Sequence, residues 1–184
     1  EQIMADDSNP VGEGALWRYT DGDTVVMTGP LYHNAPFGLS AAALHTGAHV
    51  VLMTKFDAEE TLRLVEQHRA TWLYLVPTMM SRIWRLPNRT QFDVSSLKTI
   101  WHMAAPCPPW LKEEWINWIG GEIILELYGG TEGQTITVID GKEWMAHKGS
   151  VGKPLALGEM KAFSPEGKML GPRETGEIYL RRDP

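Results

Sequence analysis

Short, nearly continuous apolar runs alternate with helix-forming segments in the part of the chain before Glu132. The runs lie at 24–28, 49–53, 72–76, 99–103 and 123–127. Apolar runs of this length, bounded by turn residues, are typical of strands that are buried on both faces, and such strands belong to parallel sheets. The sequence therefore predicts five parallel strands.

Two helical segments separate the first three runs. A small-residue segment from about 38 to 46 stops at Gly47, and glycine is a common residue just beyond a helix C-terminus. The second helix is expected to begin after Asp57 as its N-cap, with Glu60 at the capping-box position. Both helices are long enough to cross back over a sheet between parallel strands.

Two more helices precede the last two runs. The first is a short helix after Pro77, for which Thr78 is the expected N-cap. The second follows Pro108-Pro109, where proline suits the first helical turn, and ends at Gly120-Gly121. This alternation predicts an α/β fold, a doubly wound, mainly parallel sheet with helices on both faces.

The order of the elements changes after Glu132. Short strands are predicted at 134–139, 159–163 and 176–180, with a turn at 164–167 between the last two. We interpret them as antiparallel strands of an incomplete barrel-like subdomain. The chain then divides into a loop or linker at 1–23, an α/β subdomain at 24–133 and the start of a β subdomain at 134–184.

Ligands of doubly wound sheets bind outside the carboxyl ends of the strands. Three segments rich in small, aromatic and polar residues follow predicted strands, at 30–34, 104–106 and 128–132. Within Tyr128-Gly129-Gly130-Thr131-Glu132, the glycines allow a sharp turn with free amides for an anion, and Glu132 offers a carboxylate for Mg²⁺. On its own, this pentapeptide is explained better by a plain Gly-Gly turn.

Composition narrows the function classes. The net charge of −6 argues against sequence-independent binding to nucleic acid, and no apolar run is long enough for integral membrane contact. The single cysteine, Cys107, fits a cytoplasmic protein, and the six histidines show no metal-ligand spacing.

Four motifs together resemble those of the adenylate-forming (AMP-binding) superfamily, which includes acyl-CoA synthetases such as fatty-acid–CoA ligases. The motifs are Y-G-x-T-E, P-[LM]-[FY]-H, G-x-x-G-x-P and G-E-[LI]. They are matched by Tyr128-Gly129-Gly130-Thr131-Glu132, Pro30-Leu31-Tyr32-His33, Gly149-Ser150-Val151-Gly152-Lys153-Pro154 and Gly176-Glu177-Ile178. The resemblance covers nearly the whole chain.

The resemblance implies a role for each motif residue around ATP. Gly129, Gly130 and Thr131 would contact the nucleotide phosphates, and Glu132 would bind Mg²⁺. Tyr128 would pack on adenine, with Ala104, Ala105 and Pro106 as the opposite wall, although Pro106 is equally explained by packing at a strand end. In the enzymes of this family, a carboxylate attacks MgATP to form an acyl-adenylate, and the thiol of coenzyme A then displaces AMP.

The resemblance also places the acid substrate near His33. His33 would lie beside the reacting carboxylate, and Asn34, Ala35 and Phe37 would border the acyl pocket, although Phe37 is equally compatible with helix core. Several relatives carry a bulky aromatic residue where this chain has Ala35, which implies a fatty or bulky acid. The alternative is that Ala35 faces the following helix and never meets the substrate.

The family's phosphate loop is expected before residue 1, and its ribose-binding aspartate and catalytic lysine are expected beyond Pro184. We therefore expect an internal segment of a longer enzyme that is inactive by itself and lacks the N- and C-terminal parts of its own chain. Two alternatives remain: an adenylation domain that loads a carrier protein, and a non-catalytic nucleotide-binding module.

Overall fold

The computed structural model describes residues 16–155 and 158–182. Most of the loop or linker expected at 1–23 lies outside the described residues. The described part of it, 16–23, packs against the sheet: Tyr19 is buried, and the backbone oxygen of Trp17 accepts a hydrogen bond from Trp72 Nε1 at 2.7 Å. The described part of the expected loop or linker therefore packs against the α/β unit.

The described residues form nine strands and five α-helices. The strands are β1 (Thr24–Met27), β2 (His49–Leu52), β3 (Trp72–Leu75), β4 (Thr99–His102), β5 (Ile124–Gly129), β6 (Ile136–Asp140), β7 (Lys153–Pro154), β8 (Gly158–Phe163) and β9 (Glu177–Arg182). The helices are α1 (Asn34–His45), α2 (Ala58–His68), α3 (Pro77–Trp84), α4 (Pro109–Ile119) and α5 (Gly141–Ala146), with a short 3₁₀ helix at Arg89–Gln91. No helix among the described residues has both the length and the apolar character to span a bilayer.

Seven of the strands form one sheet in the order β2-β1-β3-β4-β5-β6-β7. The strands β1 to β5 pair in parallel, as predicted, whereas β5, β6 and β7 pair antiparallel. A separate antiparallel pair, β8 and β9, follows. The predicted α/β class, with a mainly parallel sheet and later antiparallel strands, is confirmed.

One strand assigned to the later β subdomain belongs to the main sheet. β6 pairs with β5 from Leu125↔Asp140 to Gly129↔Ile136, and β7 then pairs with β6. A boundary between residues 133 and 134 would therefore divide one sheet. The sequence shows the change from parallel to antiparallel periodicity, but it does not show that the first antiparallel strand pairs with β5.

Helices cover both faces of this sheet, over two hydrophobic clusters. α1 covers one face, where Leu39 and Ala43 pack on Val25, Met27 and Trp101. On the other face, α2, α3, α4 and α5 bury a larger cluster; its members from these helices include Leu62, Val65, Met80, Ile83, Leu111, Trp115 and Trp144. The sheet is thus doubly wound, and its strand ends are left to form a site.

Two helix starts differ from the expectation. α1 begins at Asn34, not near 38, because Pro36 falls in the first turn, where a missing N–H breaks no helical hydrogen bond. α3 begins at Pro77 with Val76 as N-cap, so Thr78 is not the cap. The fixed φ of Pro77 already suits the first helical position.

The predicted N-cap of α2 is confirmed, because Asp57 accepts a hydrogen bond from the Glu60 amide at 2.9 Å. The carboxylate of Glu60 pairs with Arg63 one turn further along. A second cap of the same kind was missed: Asp140 accepts from the Glu143 amide at 2.7 Å and starts α5.

Candidate functional site

The carboxyl ends of four adjacent parallel strands, β1, β3, β4 and β5, lie along one edge of the sheet. The three predicted site segments follow β1, β4 and β5. The segment after β3, which begins at Val76-Pro77, lies between the first two and was not predicted as part of the site, since the strand order is needed to place it there. Neighbouring strands are about 4.8 Å apart, so the edge from β1 to β5 spans roughly 14 Å.

The segment after β1 is buried at its start and exposed at its end. Thr28 is buried, and its hydroxyl donates to the backbone oxygen of Tyr74 at 2.6 Å. A Cβ on Gly29 would lie 2.5 Å from Pro36 Cγ, so glycine permits the close approach of this segment to α1. His33 is exposed, forms the N-cap of α1 and places its ring 4.7 Å from the Tyr32 ring.

The three other residues expected at the acyl pocket lie in the first turn of α1. Asn34 is exposed, and Ala35 is partly buried and packs against the cluster beneath α1. Phe37 is 61% exposed, which rules it out as part of the helix core within the described residues. Asn34 and Phe37 are therefore accessible from outside the sheet, whereas Ala35 faces at least partly inward.

The segment after β4 is small, exposed and conformationally strained. Ala104, Ala105 and Pro106 are all exposed, while Met103 before them is buried. Ala104 has φ of 75°, in the left-handed region that disfavours a residue with a Cβ. Small side chains leave the backbone groups of this wall open to a flat ligand.

The motif after β5 turns later than expected. Tyr128 and Gly129 are still in β5, paired with Thr137 and Ile136, so the glycine turn does not begin at Gly129. The turn is made at Gly130–Gly133, closed by a hydrogen bond from the Gly133 amide to the Gly130 oxygen, and Gly133 has φ of 69°. A Cβ on Gly129 would lie 2.6 Å from Ile136 Cγ2, which explains why a strand position holds glycine.

Within this turn, Thr131 and Glu132 are exposed. A Cβ on Gly130 would lie 2.5 Å from Glu132 Oε2, so the carboxylate folds over the Gly130 backbone. Across residues 16–155 and 158–182, neither the Thr131 hydroxyl nor the Glu132 carboxylate forms a hydrogen bond or ion pair. Both groups are available to a ligand.

The predicted adenine walls belong to neighbouring strands, since the 104–106 segment follows β4 and Tyr128 lies in β5. The register pairs His102 with Glu126, and Ala104 and Tyr128 each follow two residues later. Alternation along a strand puts residues two apart on the same face. Tyr128, which is 37% exposed, thus lies beside the 104–106 segment, while His33 lies three strands away at β1.

A buried polar cluster beneath these walls was not predicted. Lys112, on α4, forms a buried ion pair with Glu126, and His102 Nε2 lies 4.0 Å from the same carboxylate. Burial, and secondarily the charge of Lys112, lower the pKa of His102 to about 3, so this histidine is neutral. In sequence, Lys112 and Glu126 look like solvent-facing charges, and only the tertiary packing shows that they are buried.

The one cysteine of the chain, Cys107, lies near this cluster. Burial and the nearby Glu126 charge raise the pKa of Cys107 to about 12, against a smaller opposing effect of Lys112. The thiol therefore stays protonated at neutral pH, and thiolate is the reactive form.

The site residues suit a cation that is shared with phosphate oxygens. Among the described residues, no group of three or more His, Cys, Asp and Glu side chains could enclose a metal ion. Mg²⁺ typically binds one or two protein carboxylates together with substrate phosphates and water. The exposed, unpaired Glu132 beside a turn with Thr131 fits that mode.

Comparison with known proteins agrees with this arrangement. A model of the AMP-binding enzyme family matches residues 5–183. A feruloyl-CoA synthase from Amycolatopsis is 32% identical over 160 residues, which are 86% of this chain and 32% of that protein. A long-chain-fatty-acid–CoA ligase from Bacillus subtilis is 29% identical over 175 residues, which are 91% of this chain and 30% of that protein.

Solved structures share the fold. An o-succinylbenzoate coenzyme A synthetase from Bacillus subtilis, in complex with AMP, superposes with a TM-score of 0.76 at 28% identity, over 90% of this chain and 34% of that one. An amide bond synthetase from Marinactinospora thermotolerans superposes with a TM-score of 0.78 at 24% identity, over 90% of this chain and 34% of that one. The chain thus spans about a third of the length of these relatives, and it belongs to the family of AMP-binding enzymes.

Proposed function

We propose that this chain supplies the adenine, phosphate and acid sites of an ATP-dependent carboxylic acid–CoA ligase. The observation that carries the proposal is the exposed and unpaired Glu132 carboxylate, folded over Gly130 at the carboxyl edge of the sheet. CoA ligases among the relatives support this activity, since several of them are named for it. The activity of the whole protein also depends on residues outside this chain.

In the proposed reaction, a carboxylate oxygen attacks the α-phosphorus of ATP, and the bond to pyrophosphate breaks. The sulfur of coenzyme A then attacks the acyl carbon, its proton is lost, and AMP leaves. Tyr128 and the 104–106 wall hold the adenine, and Thr131 donates its hydroxyl to a phosphate oxygen. Mg²⁺, bound by Glu132, would neutralise charge on the phosphates.

His33 would orient the acid at the other end of the site. Its exposed ring lies at the N-terminus of α1, beyond the end of β1. The edge between β1 and β5 spans roughly 14 Å, which is long enough for an adenosine phosphate at β5 with an acid beside β1. A ring N–H that donates to the carboxylate would hold it in line with the α-phosphorus, and positioning of this kind contributes much of catalysis.

For the acid itself, we propose a fatty or bulky carboxylate, such as a long-chain, alicyclic or steroid-like acid. The support is the small side chain of Ala35 beside the exposed Phe37. The partial burial of Ala35 against the α1 cluster supports the alternative that this side chain serves helix packing. The two roles predict different effects of a larger side chain in place of Ala35.

The test uses the parent enzyme that contains this segment. The protein is incubated with ATP, Mg²⁺, a panel of carboxylic acids and coenzyme A, and pyrophosphate, AMP and acyl-CoA are measured. Glu132→Gln is expected to keep the fold and to slow adenylation by about 10²–10³, the scale of losing one electrostatic contact made in the transition state. A near-wild-type rate in folded Glu132→Gln would remove Glu132 from the metal site.

A matched control is Glu122→Gln. Glu122 is also exposed, but it precedes β5 and so lies at the opposite edge of the sheet. Its rate is expected to equal that of the wild type. Adenylate formation without acyl-CoA would favour an adenylation domain that loads a carrier protein, and ATP binding without pyrophosphate release would favour the non-catalytic module.

A further inference from the structure

Three ionisable side chains are buried together beneath the walls of the candidate adenine site. Lys112 and His102 are fully buried, and Glu126 is 8% exposed. The Lys112 ammonium donates to Glu126 Oε2, and its Nζ also lies 5.0 Å from the centre of the Trp144 ring. Both ring nitrogens of His102 are buried without a hydrogen-bond partner among the described residues.

Stability alone does not explain this cluster. Moving two charges out of water costs several kcal/mol per ion, and well-packed apolar side chains of similar volume often stabilise a fold at least as well. Burial lowers the pKa of Lys112, and the hydrogen bond to Glu126 opposes that effect. The ion pair differs from apolar packing in one respect, because it fixes the direction and the distance between two particular groups.

Each member of the cluster lies next to one wall of the site. Glu126 precedes Tyr128 by two residues on the same face of β5, and His102 is the last residue of β4, two residues before Ala104. Lys112 lies in the first turn of α4, which begins at Pro109, directly after the other wall. The ion pair therefore joins the element that follows one wall to the strand that carries the other.

The backbone of Tyr128 is held in β5 by pairing with Thr137, but the side chains of the two walls have few polar contacts among the described residues. Ala104, Ala105 and Pro106 are exposed and present only small side chains, and the backbone of Ala104 is strained. Tyr128 is partly exposed, and no hydrogen bond of its hydroxyl occurs among the described residues. The buried cluster beneath the walls is placed to support their spacing, since binding groups need support from the residues behind them to keep a productive geometry.

We propose that Lys112 and Glu126 are positioning residues, which hold the Tyr128 wall and the 104–106 wall at the separation that an adenine ring requires, with His102 packed against the pair. This inference rests on the proposed function. It deepens that function by assigning adenine affinity to a pair of residues that never touch the nucleotide.

The experiment uses the parent enzyme and AMP as the probe, with binding measured by calorimetry. The double variant Lys112→Met/Glu126→Leu replaces the ion pair with apolar side chains of similar size. Its unfolding midpoint is expected to match or exceed that of the wild type, while the AMP Kd rises by about 10-fold or more, by analogy with the loss of residues that orient metal ligands. The KM for ATP rises in parallel, and the KM for the acid, bound three strands away, changes by less than about twofold.

Ile116→Ala is the matched control, because Ile116 is buried on the same helix but follows Lys112 by a full turn, further from the walls. It is expected to lower stability and to leave the AMP Kd unchanged, which separates positioning from general destabilisation. A wild-type AMP Kd in the folded double variant overturns the inference, as does an equal rise in Ile116→Ala.

If the double variant does not accumulate in folded form, Lys112→Met/Glu126→Gln decides by the same comparison, since it removes both charges and the hydrogen bond between them while keeping the volume of the side chain on β5. A raised AMP Kd supports the inference, and a wild-type Kd overturns it. Failure of the wild-type enzyme to bind AMP would overturn the proposed function as well. Binding by the wild type with no change in the variants would overturn the positioning role alone.

Discussion

The residue with the least favourable backbone in the candidate site is Ala104. Its φ of 75° costs an L-residue about 1–2 kcal/mol relative to glycine in the same conformation, offset in part by the greater freedom of glycine in the unfolded chain. The strain is located in the proposed adenine wall, where the absence of a larger side chain keeps the backbone accessible.

Ala104→Gly is therefore expected to raise the free energy of unfolding by about 0.5–1 kcal/mol. Ala105→Gly is the control, because Ala105 does not have a positive φ, and it is expected to lower stability by a similar amount. Urea unfolding of the two variants and the wild type gives the comparison. Equal effects of the two substitutions would show that the backbone of Ala104 is not strained in solution.

His102 gives the fold a specific sensitivity to acid. Its pKa falls from 6.5 to about 3 on folding, so the unfolded chain binds the proton more readily between these values. The folded state consequently loses stability as the pH falls through this window, and the full contribution is present above about pH 6.5.

Between pH 7.5 and pH 5, this single group is expected to lower the free energy of unfolding by about 2 kcal/mol. His102→Leu removes the titrating ring. Between pH 7.5 and pH 5, the free energy of unfolding of this variant is expected to fall by about 2 kcal/mol less than that of the wild type. The carboxylates titrate in both proteins, so the difference between the two pH dependences isolates His102. Parallel curves would mean that the ring is hydrated or paired in solution.

At the scale of the elements, the apolar runs were sufficient to predict the five strands β1 to β5 and their parallel pairing. β3 and β4 are buried along their whole length, as their apolar composition indicates, whereas β2 lies at the edge of the sheet and exposes His49 and Leu52. The start of α1 was misplaced because Pro36 looks like a helix breaker unless its position within the first turn is known. β6 was assigned to the wrong sheet because strand pairing depends on neighbours that its own residues do not encode.

The candidate site likewise contains some residues that the sequence predicts and others that it does not. The exposed motif residues, such as Thr131 and Glu132, were predicted because they follow a strand and match a family motif. The supporting pair Lys112 and Glu126 was missed because charged residues on a helix and a strand are usually solvated. Nothing in the local sequence marks them as buried, and the information is carried by the packing of α4 on β4 and β5.

The first turn of α1 allows the substrate proposal to be tested. Ala35→Phe is expected to penalise large acids more than small ones if the side chain faces the pocket, because steric misfit of about 1–3 kcal/mol corresponds to roughly 5- to 150-fold in kcat/KM. The measured quantity is the ratio of large-acid to small-acid activity in variant and wild-type parent enzyme. If Ala35 serves only the α1 cluster, stability falls and the ratio stays unchanged, which contradicts the pocket assignment.

On the scale of the whole molecule, the described residues place the proposed adenine walls and the Glu132 turn at one end of the carboxyl edge of the sheet and His33 at the other, and the chain spans about a third of the length of its relatives. From the resemblance of the motifs, we expect a phosphate loop, a ribose-binding aspartate and a catalytic lysine in parts of the parent protein outside this chain. Electrostatic stabilisation of the transferring phosphoryl group depends on several such donors acting together, and the loss of one costs about 10²–10³ in rate.

The 184-residue chain by itself is therefore expected to fold its seven-stranded sheet and yet to release no pyrophosphate. The assay supplies ATP, Mg²⁺, a panel of carboxylic acids and coenzyme A, with circular dichroism to establish that the chain is folded and a no-protein reaction as background. Three missing contributions of the size given above would multiply to about 10⁶ or more, which places the rate below detection. Pyrophosphate release above background from the folded chain would contradict this prediction, and it would show that Thr131, Glu132 and His33 suffice for the first half-reaction.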